Sequence, residues 1–451
     1  MTDRDRIFER IRSGREAVRS GRIPSVKERR KTLRRMLVLL VSHGEAAYSA
    51  LADDFGRSRE CAVVSEFLPL VRAVRNMIRS LPRLAASRRR GVSWVNFPAR
   101  ARAVPVPCGH VLISGAWDLP LLETLRPVIG AYASGNRVVV KLPVRARKSA
   151  LFIQWLLEET FLGDEVVSVG AEAGFQELFE LGFDGVYCAD GAAAAAFLRE
   201  HPTGSVPFLF LYRRFGKNPA IVDSGAVLKN AAERIVQGKF FNAGQNGAAP
   251  GILFVHERVR DVFLQQLGQA VRRLCGGDEP LASPQTGRII DRDSYERLSR
   301  MSGSGRLLLG GEKDPRQLRI APTVMDQLES GDNLLKEEIF GPLLPLVVFR
   351  SEEELMRKLH DMPAPPAVYY FGNDRALMRR LEREIPSRDL VFNDAVMQMF
   401  NRDVPGKDFF FMFSRMKKIM ARPAFFDGPW RRLPLGGVWA RFFEYLVKWS
   451  I

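Results

Sequence analysis

The chain has 451 residues, enough for roughly two or three domains and for large cores without disulfides. Hydrophobic residues make up 46% and charged residues 26%, the balance of a soluble globular protein. The formal net charge of +17 favours contact with anionic surfaces, but no array of interleaved aromatic and basic residues points to nucleic acid.

The four cysteines (Cys61, Cys108, Cys188, Cys275) are scattered, with no CxxC pair and no zinc-type spacing. They read as buried small apolar residues in a reducing compartment, and no metal site is expected. The five histidines form no HExxH-like cluster and read as ordinary structural or surface residues. The N-terminus is charged and lacks the apolar core of a secretory signal. No run of roughly 18 apolar residues predicts a membrane span. The cytoplasm is the expected location, with the inner face of a membrane as an alternative.

In chain order, the first segment reads as helical. Ser25 and Glu28 form a capping-box pattern after Pro24, and Leu33, Met36, Leu37, Leu40 and Val41 recur at helical spacing. A second helix is predicted over Ala62 to Leu81. Residues 88–106, broken by Pro98 and Pro105, read as a β-hairpin. From Gly109 the chain alternates. Val111 to Ser114, Arg137 to Lys141, Val166 to Val169, Gly185 to Ala189 and Pro207 to Leu211 read as strands, with a helix start at Ala192 to Ala196. A second series begins near Val222, with helices over Asn230 to Phe241, Arg258 to Leu274, Glu352 to His360 and Asp374 to Glu384. Further strands are expected near Ile252, Arg306, Leu344, Val368 and Leu390. This alternation predicts a parallel, doubly wound α/β fold. Beyond Met397 the sequence reads as irregular. Val438 to Ile451 then carries Trp439, Phe442, Phe443, Leu446, Val447 and Trp449 at helical spacing. That tail suits a helix packed on a dimer or lying on an anionic membrane surface.

Several segments occur in an order that resembles the aldehyde dehydrogenase family, nearest its class 3 branch. Pro107-Cys-Gly-His-Val-Leu-Ile-Ser-Gly-Ala-Trp-Asp-Leu-Pro120 is similar to the PxGxVxxxxPWNYP segment. Gly135 to Lys141 is similar to the strand whose lysine holds the adenosine ribose. Phe215-Gly-Lys-Asn-Pro219 is similar to GGKSP, and Gly238 to Pro250 to the GKFxNAGQTCxAP segment. Glu337-Glu-Ile-Phe-Gly-Pro342 is EEIFGP unchanged, and Val391-Phe-Asn-Asp394 is similar to a class 3 VND segment. The resemblance spans about residues 25 to 450. It implies a Rossmann-like cofactor domain (1–87 and 107–212), a second α/β catalytic domain (213–396), bridging elements (88–106 and 397–420) and a tail helix (421–451). It also implies a homodimer.

In that family a cysteine thiolate attacks the aldehyde, hydride passes to a nicotinamide, and water hydrolyses the thioester. The resemblance places Gly247 at the nucleophile position, where no side chain exists. It places Arg213 at the general-base position, and a guanidinium cannot accept the proton. It places Asp118 at the oxyanion-donor position, where a carboxylate opposes the developing charge. Arg213 and Asp118 carry opposite charges and are expected either to pair across the site or to leave the long Arg213 side chain turned to solvent. Trp117, Lys141, Glu338 and Phe340 are retained at cofactor-contacting positions, so NAD or NADP is implied, but held weakly. The glutamate of KPSE is Val144, Asp190 falls beside the cofactor phosphates, and the PFGGVG segment is replaced by Pro405-Gly-Lys-Asp-Phe409.

Three functions are compatible with these residues. One is a catalytically silent family member with a binding, regulatory or scaffold role for an unknown small molecule. Another is an active oxidoreductase or hydrolase with a non-standard site. The third is a basic protein attached to a membrane surface or nucleic acid.

Overall fold

The structure is a computed structural model that describes residues 2–189, 209–212, 216–283, 285–329, 331–397, 407–424, 428–431, 434 and 436–449. Arg213, Asp190, the segment 192–196 and residues 405–406 of the replaced glycine-rich motif lie outside the described residues, as does any pairing of Arg213 with Asp118.

Five helical stretches open the chain. They are Asp3–Arg19, Val26–Ser42, Gly44–Phe55, Arg59–Ala62 and Leu68–Leu84. The capping box read at Ser25 is present: the Glu28 N–H donates to Ser25 Oγ at 3.2 Å, and the Ser25 N–H to Glu28 Oε2 at 2.7 Å. The single helix expected over Ala62 to Leu81 is instead two helices joined by a π-turn, Val63–Phe67. Pro69 explains the widening. It has no N–H to donate to the carbonyl of Ser65, so the regular ladder cannot close there.

Strands β1 (Arg88–Arg90) and β2 (Arg100–Pro107) pair antiparallel, as the hairpin reading expected. The next five strands are β3 (His110–Ser114), β4 (Arg137–Lys141), β5 (Val166–Val169), β6 (Gly185–Cys188) and β7 (Leu209–Tyr212). They form an all-parallel sheet in the order β5-β4-β3-β6-β7. Strand order reverses at β3. The crevice beyond its carboxyl end is where doubly wound sheets take ligands, and the segment Gly115 to Asp118 emerges there.

The second sheet contains β8 (Asn218–Val222), β9 (Pro250–His256), β10 (Arg306–Leu309), β13 (Thr323–Asp326), β14 (Leu343–Phe349), β15 (Ala367–Phe371) and β16 (Asp389–Phe392). A small ribbon, β11 (Lys313–Asp314) with β12 (Arg319–Ile320), stands apart. The order is β10-β13-β14-β9-β8-β15-β16, with only β10 antiparallel to its neighbour. Helices Leu228–Phe240 and Arg260–Cys275 cover one face through Ile235, Phe240, Phe263 and Leu267. Helices Glu352–His360 and Arg375–Glu384 cover the other through Leu355, Leu359, Leu377 and Leu381. Both faces are therefore dry, as parallel strands require.

The region beyond Met397, read as irregular, contains the helix Lys407–Met412 and strand β17 (Ser414–Ala421). Strand β17 pairs antiparallel with the free edge of β2, Ser414 opposite Pro107 through to Ala421 opposite Arg100. Most of its residues are exposed, so neither face is apolar and the alternation that announces a half-buried strand is missing. The tail forms the helix Gly437–Trp449. Among the described residues, no helix is long and apolar enough to cross a membrane.

Candidate functional site

The loop carrying Gly247 runs from the end of the helix Leu228–Phe240 into β9. It turns tightly: Asn242 and Ala243 adopt left-handed backbone at φ 53 and 52. Gly244 follows at φ 70, and a Cβ there would lie 2.2 Å from the carbonyl oxygen of Gly341. Glycine is thus required where this loop meets the EEIFGP turn.

Side chains from several elements fix the loop. Asn218 donates through Nδ2 to the carbonyls of Gly247 and Ala249, both at 3.0 Å, and accepts the Ala367 N–H at 3.0 Å. The Tyr369 hydroxyl donates to the Ala248 carbonyl at 2.6 Å. Gln245 donates to the Arg288 carbonyl at 2.9 Å and accepts the Ile290 N–H at 2.9 Å. Asn242 donates to the carbonyl of Gln245 at 2.8 Å and to that of Asp118 at 3.2 Å.

Behind the loop lies a buried ion pair, Arg57 with Glu66. Arg57 also donates to Asn242 Oδ1 at 2.8 Å and to the Asp118 carbonyl at 2.6 Å. Its guanidinium carbon lies 4.3 Å from the ring centroid of Phe55. Glu66 accepts the Leu121 and Leu122 N–H groups at 2.8 and 3.0 Å, at the start of helix Pro120–Ser134. Burial pushes the Glu66 carboxyl up, while Arg57 and the two amides oppose that shift.

Four ionisable groups gather where the loop meets EEIFGP. Burial brings Lys239 down to about 7, with the nearby Lys217 lowering it further and Glu338 opposing. Burial brings Lys217 to about 8 against the pull of Glu337 and Glu338, and its Nζ donates to the Leu334 carbonyl. Both lysines stand in the motif segments, yet sequence reasoning gave neither a role.

The proposed cofactor residues are engaged with other parts of the chain. Lys141 Nζ donates to the carbonyl of Gly170 and, at 2.5 Å, to that of Ala173. The Trp117 and Phe340 rings are 5.1 Å apart, and the Arg145 guanidinium stands 4.1 Å from the Trp117 centroid. Arg145 is held there by Asp291 at 2.6 Å and Ser294 at 2.7 Å. The main-chain carbonyls of Glu338 and Ile339 accept from Arg297 at 3.4 and 2.6 Å.

Beside the loop opens a pocket of about 330 Å³, lined among others by Leu119, Leu122, Phe241, Asn246 and Val396. Cys61 also lines it and is partly exposed, which corrects its reading as a buried small apolar residue. Its thiol donates to Gln285 Oε1 at 3.2 Å.

The sequence pattern of the aldehyde dehydrogenase family matches residues 2–405. The chain belongs to the aldehyde dehydrogenase family. A 4,4'-diapolycopene-4,4'-dial dehydrogenase from Cytobacillus firmus is 30% identical over 386 residues, covering 85% of this chain and 84% of that protein. Aldehyde dehydrogenase family 3 member A2 from Rattus norvegicus is 28% identical, covering 87% of this chain and 80% of the rat protein. The solved structure described as the substrate-bound state of Staphylococcus aureus AldH superposes with a TM-score of 0.92 at 25% identity, over 99% of this chain and all of that one. The relatives lie in the class 3 branch that the motifs indicated. Within this aldehyde dehydrogenase scaffold, Gly247, Asp118, Trp117, Glu338 and Phe340 stand around the loop and the mouth of the first sheet. Lys141 ends β4.

Proposed function

We propose that this aldehyde dehydrogenase family member binds apolar aldehydes in the pocket beside Gly247 without oxidising them through the family's thioester route. The observation that carries this reading is the absence of any side chain at Gly247, on a loop still anchored by Asn218 and Tyr369. Asp118, 1% exposed, adds a buried carboxylate at the position where the family supplies an amide donor. The apolar pocket supports the ligand class. So do the names of two relatives, the diapolycopenedial dehydrogenase of Cytobacillus firmus and the diaponeurosporen-aldehyde dehydrogenase of Staphylococcus aureus, which both denote long apolar aldehydes.

NAD or NADP is the cofactor that the family implies, and the residues fit it poorly. Lys141 is committed to two carbonyls and Trp117 lies against both Phe340 and Arg145. A nicotinamide would supply the hydride acceptor when bound, and this chain's residues would hold it weakly. The test combines NAD(P)H formation across straight-chain aldehydes with calorimetric titration of octanol and octanal. Binding without turnover is expected, and robust turnover would overturn the reading.

A second proposal concerns location. The helix Gly437–Trp449 leaves Val438 81% and Trp449 76% exposed. Its Phe442 and Phe443 rings pack on Trp94, beside the arginine-rich β1. Exposed aromatics next to a basic strand suit an anionic lipid surface. Co-sedimentation with phosphatidylserine vesicles that weakens with salt is expected. Equal retention on neutral vesicles would overturn the electrostatic part.

A further inference from the structure

Resting on the proposed aldehyde binding, we infer that Cys61 captures the aldehyde as a reversible thiohemiacetal inside the pocket, with the Asn246 amide donating to the oxygen.

The polar groups of the pocket single out these two residues. Glu60 and Gln237 lie at its exposed rim. Ser65 is buried, but its hydroxyl is committed to the Cys61 carbonyl at 2.7 Å. Asn246 is 5% exposed, and its Oδ1 is taken by the Ala248 N–H at 2.9 Å. That contact settles which end of the amide is oxygen, because a backbone N–H needs an acceptor. Its Nδ2 then has no hydrogen-bond partner among the described residues and belongs to the pocket wall. The amide is held in place by the Ala248 contact with its N–H groups left for the pocket, where a ligand oxygen would accept from them.

The second group is the Cys61 thiol. It lines the same pocket and donates to Gln285 Oε1 at 3.2 Å. The remaining wall is apolar: Val64, Leu119, Leu122, Phe241 and Val396. The site therefore offers one nucleophile, one donor and a greasy sleeve. A carbonyl on an unbranched chain matches all three.

Capture balances without any oxidant. The Sγ–C bond forms, the carbonyl becomes a C–O single bond, and the thiol proton ends on the former carbonyl oxygen. Nothing is oxidised or reduced. Release is the reverse step. Cys61 sits on the helix wall opposite the Gly247 loop, so the adduct is a holding state and no hydride transfer is built into it.

The full chain is titrated with octanal labelled with carbon-13 at its carbonyl, and octanol binding is measured in parallel. The expected result is a new tetrahedral carbon resonance, distinct from the free hydrate. It is present in the native chain and lost in both Cys61→Ser and Cys61→Ala, which still bind octanol. Asn246→Ala should weaken octanal relative to octanol by about fivefold, the loss of one buried hydrogen bond. Octanol and octanal both failing to bind would overturn the aldehyde-binding reading and this inference with it. Octanol binding with no tetrahedral resonance would overturn this inference alone. So would a resonance that survives in both Cys61 variants, or an imine carbon that disappears with Lys239→Met.

Discussion

Arg57 Nη2 reaches the main-chain carbonyl of Asp118 at 2.6 Å, joining the N-terminal helices to the segment that follows β3. Through Nε the same guanidinium holds Asn242 at 2.8 Å, so one side chain ties together the segment that carries Asp118 and the turn before Gly247. The cluster thus holds the frame of the loop that carries Gly247.

That frame should be expensive to break from one side. Arg57 and Glu66 have side-chain exposures of 2% and 0%, so removing either leaves an uncompensated buried charge. Arg57→Met is expected to destabilise the chain by about 3–5 kcal/mol in denaturant unfolding. The double change with Glu66→Met should cost less than the sum of the single changes. Additive effects would show that the two groups do not act as a pair.

Acid stability should report His110. Its imidazole is buried against Phe183, with ring centroids 4.7 Å apart. Burial lowers it to about 4 from an ordinary 6.5, with Asp184 opposing and Arg15 and Arg137 assisting. Below pH 6.5 the unfolded chain takes up a proton that the folded chain refuses. Stability therefore falls as pH drops from about 6.5 to about 4, at up to roughly 1.4 kcal/mol per pH unit. His110→Phe should remove that slope. An unchanged slope would assign the acid sensitivity to other groups.

Much of this fold was legible because parallel strands buried on both faces are short apolar runs, and β4 and β5 matched their expected limits residue for residue. Helix Glu352–His360 was equally plain, with Ser351 capping it through Glu354 N–H. Strand β17 was not legible, since its exposed Lys417 and Lys418 give no periodic signal and its partner is more than 300 residues away. At the site, ordered motifs brought Gly247 and Asp118 into view. Arg57 and Glu66 escaped because nothing local distinguishes a buried arginine from a surface one. The same holds for Cys61, whose thiol partner Gln285 is more than 200 residues away.

Dinucleotide affinity should be low and should respond to the phosphate side. The family resemblance puts Asp190 beside the cofactor phosphates. A carboxylate there opposes pyrophosphate. Calorimetry should find NAD and NADP both weak, and Asp190→Gly should tighten them. Low-micromolar NAD binding by the native chain would show that the repulsion is absent.

The strongest demand falls on Gly247→Cys. If the missing thiol were the whole deficit, this variant would oxidise aldehydes at a normal rate. It should not. On the proposed assignments the buried carboxylate of Asp118 replaces an amide donor, and loss of one such donor costs about a hundredfold or more in rate. Arg213 replaces the base that would activate the deacylating water, and no guanidinium can do so. Gly247→Cys is therefore expected to gain a thiol that alkylating reagents detect, yet little NADH formation with octanal. Adding Asp118→Asn and Arg213→Glu should raise the rate by about two orders of magnitude over the single variant. Effects of groups that act as a unit are not additive, so Asp118→Asn and Arg213→Glu without the cysteine should do nothing. A single variant as fast as the triple would show that Asp118 and Arg213 stand outside the reaction, and that glycine alone silences this chain.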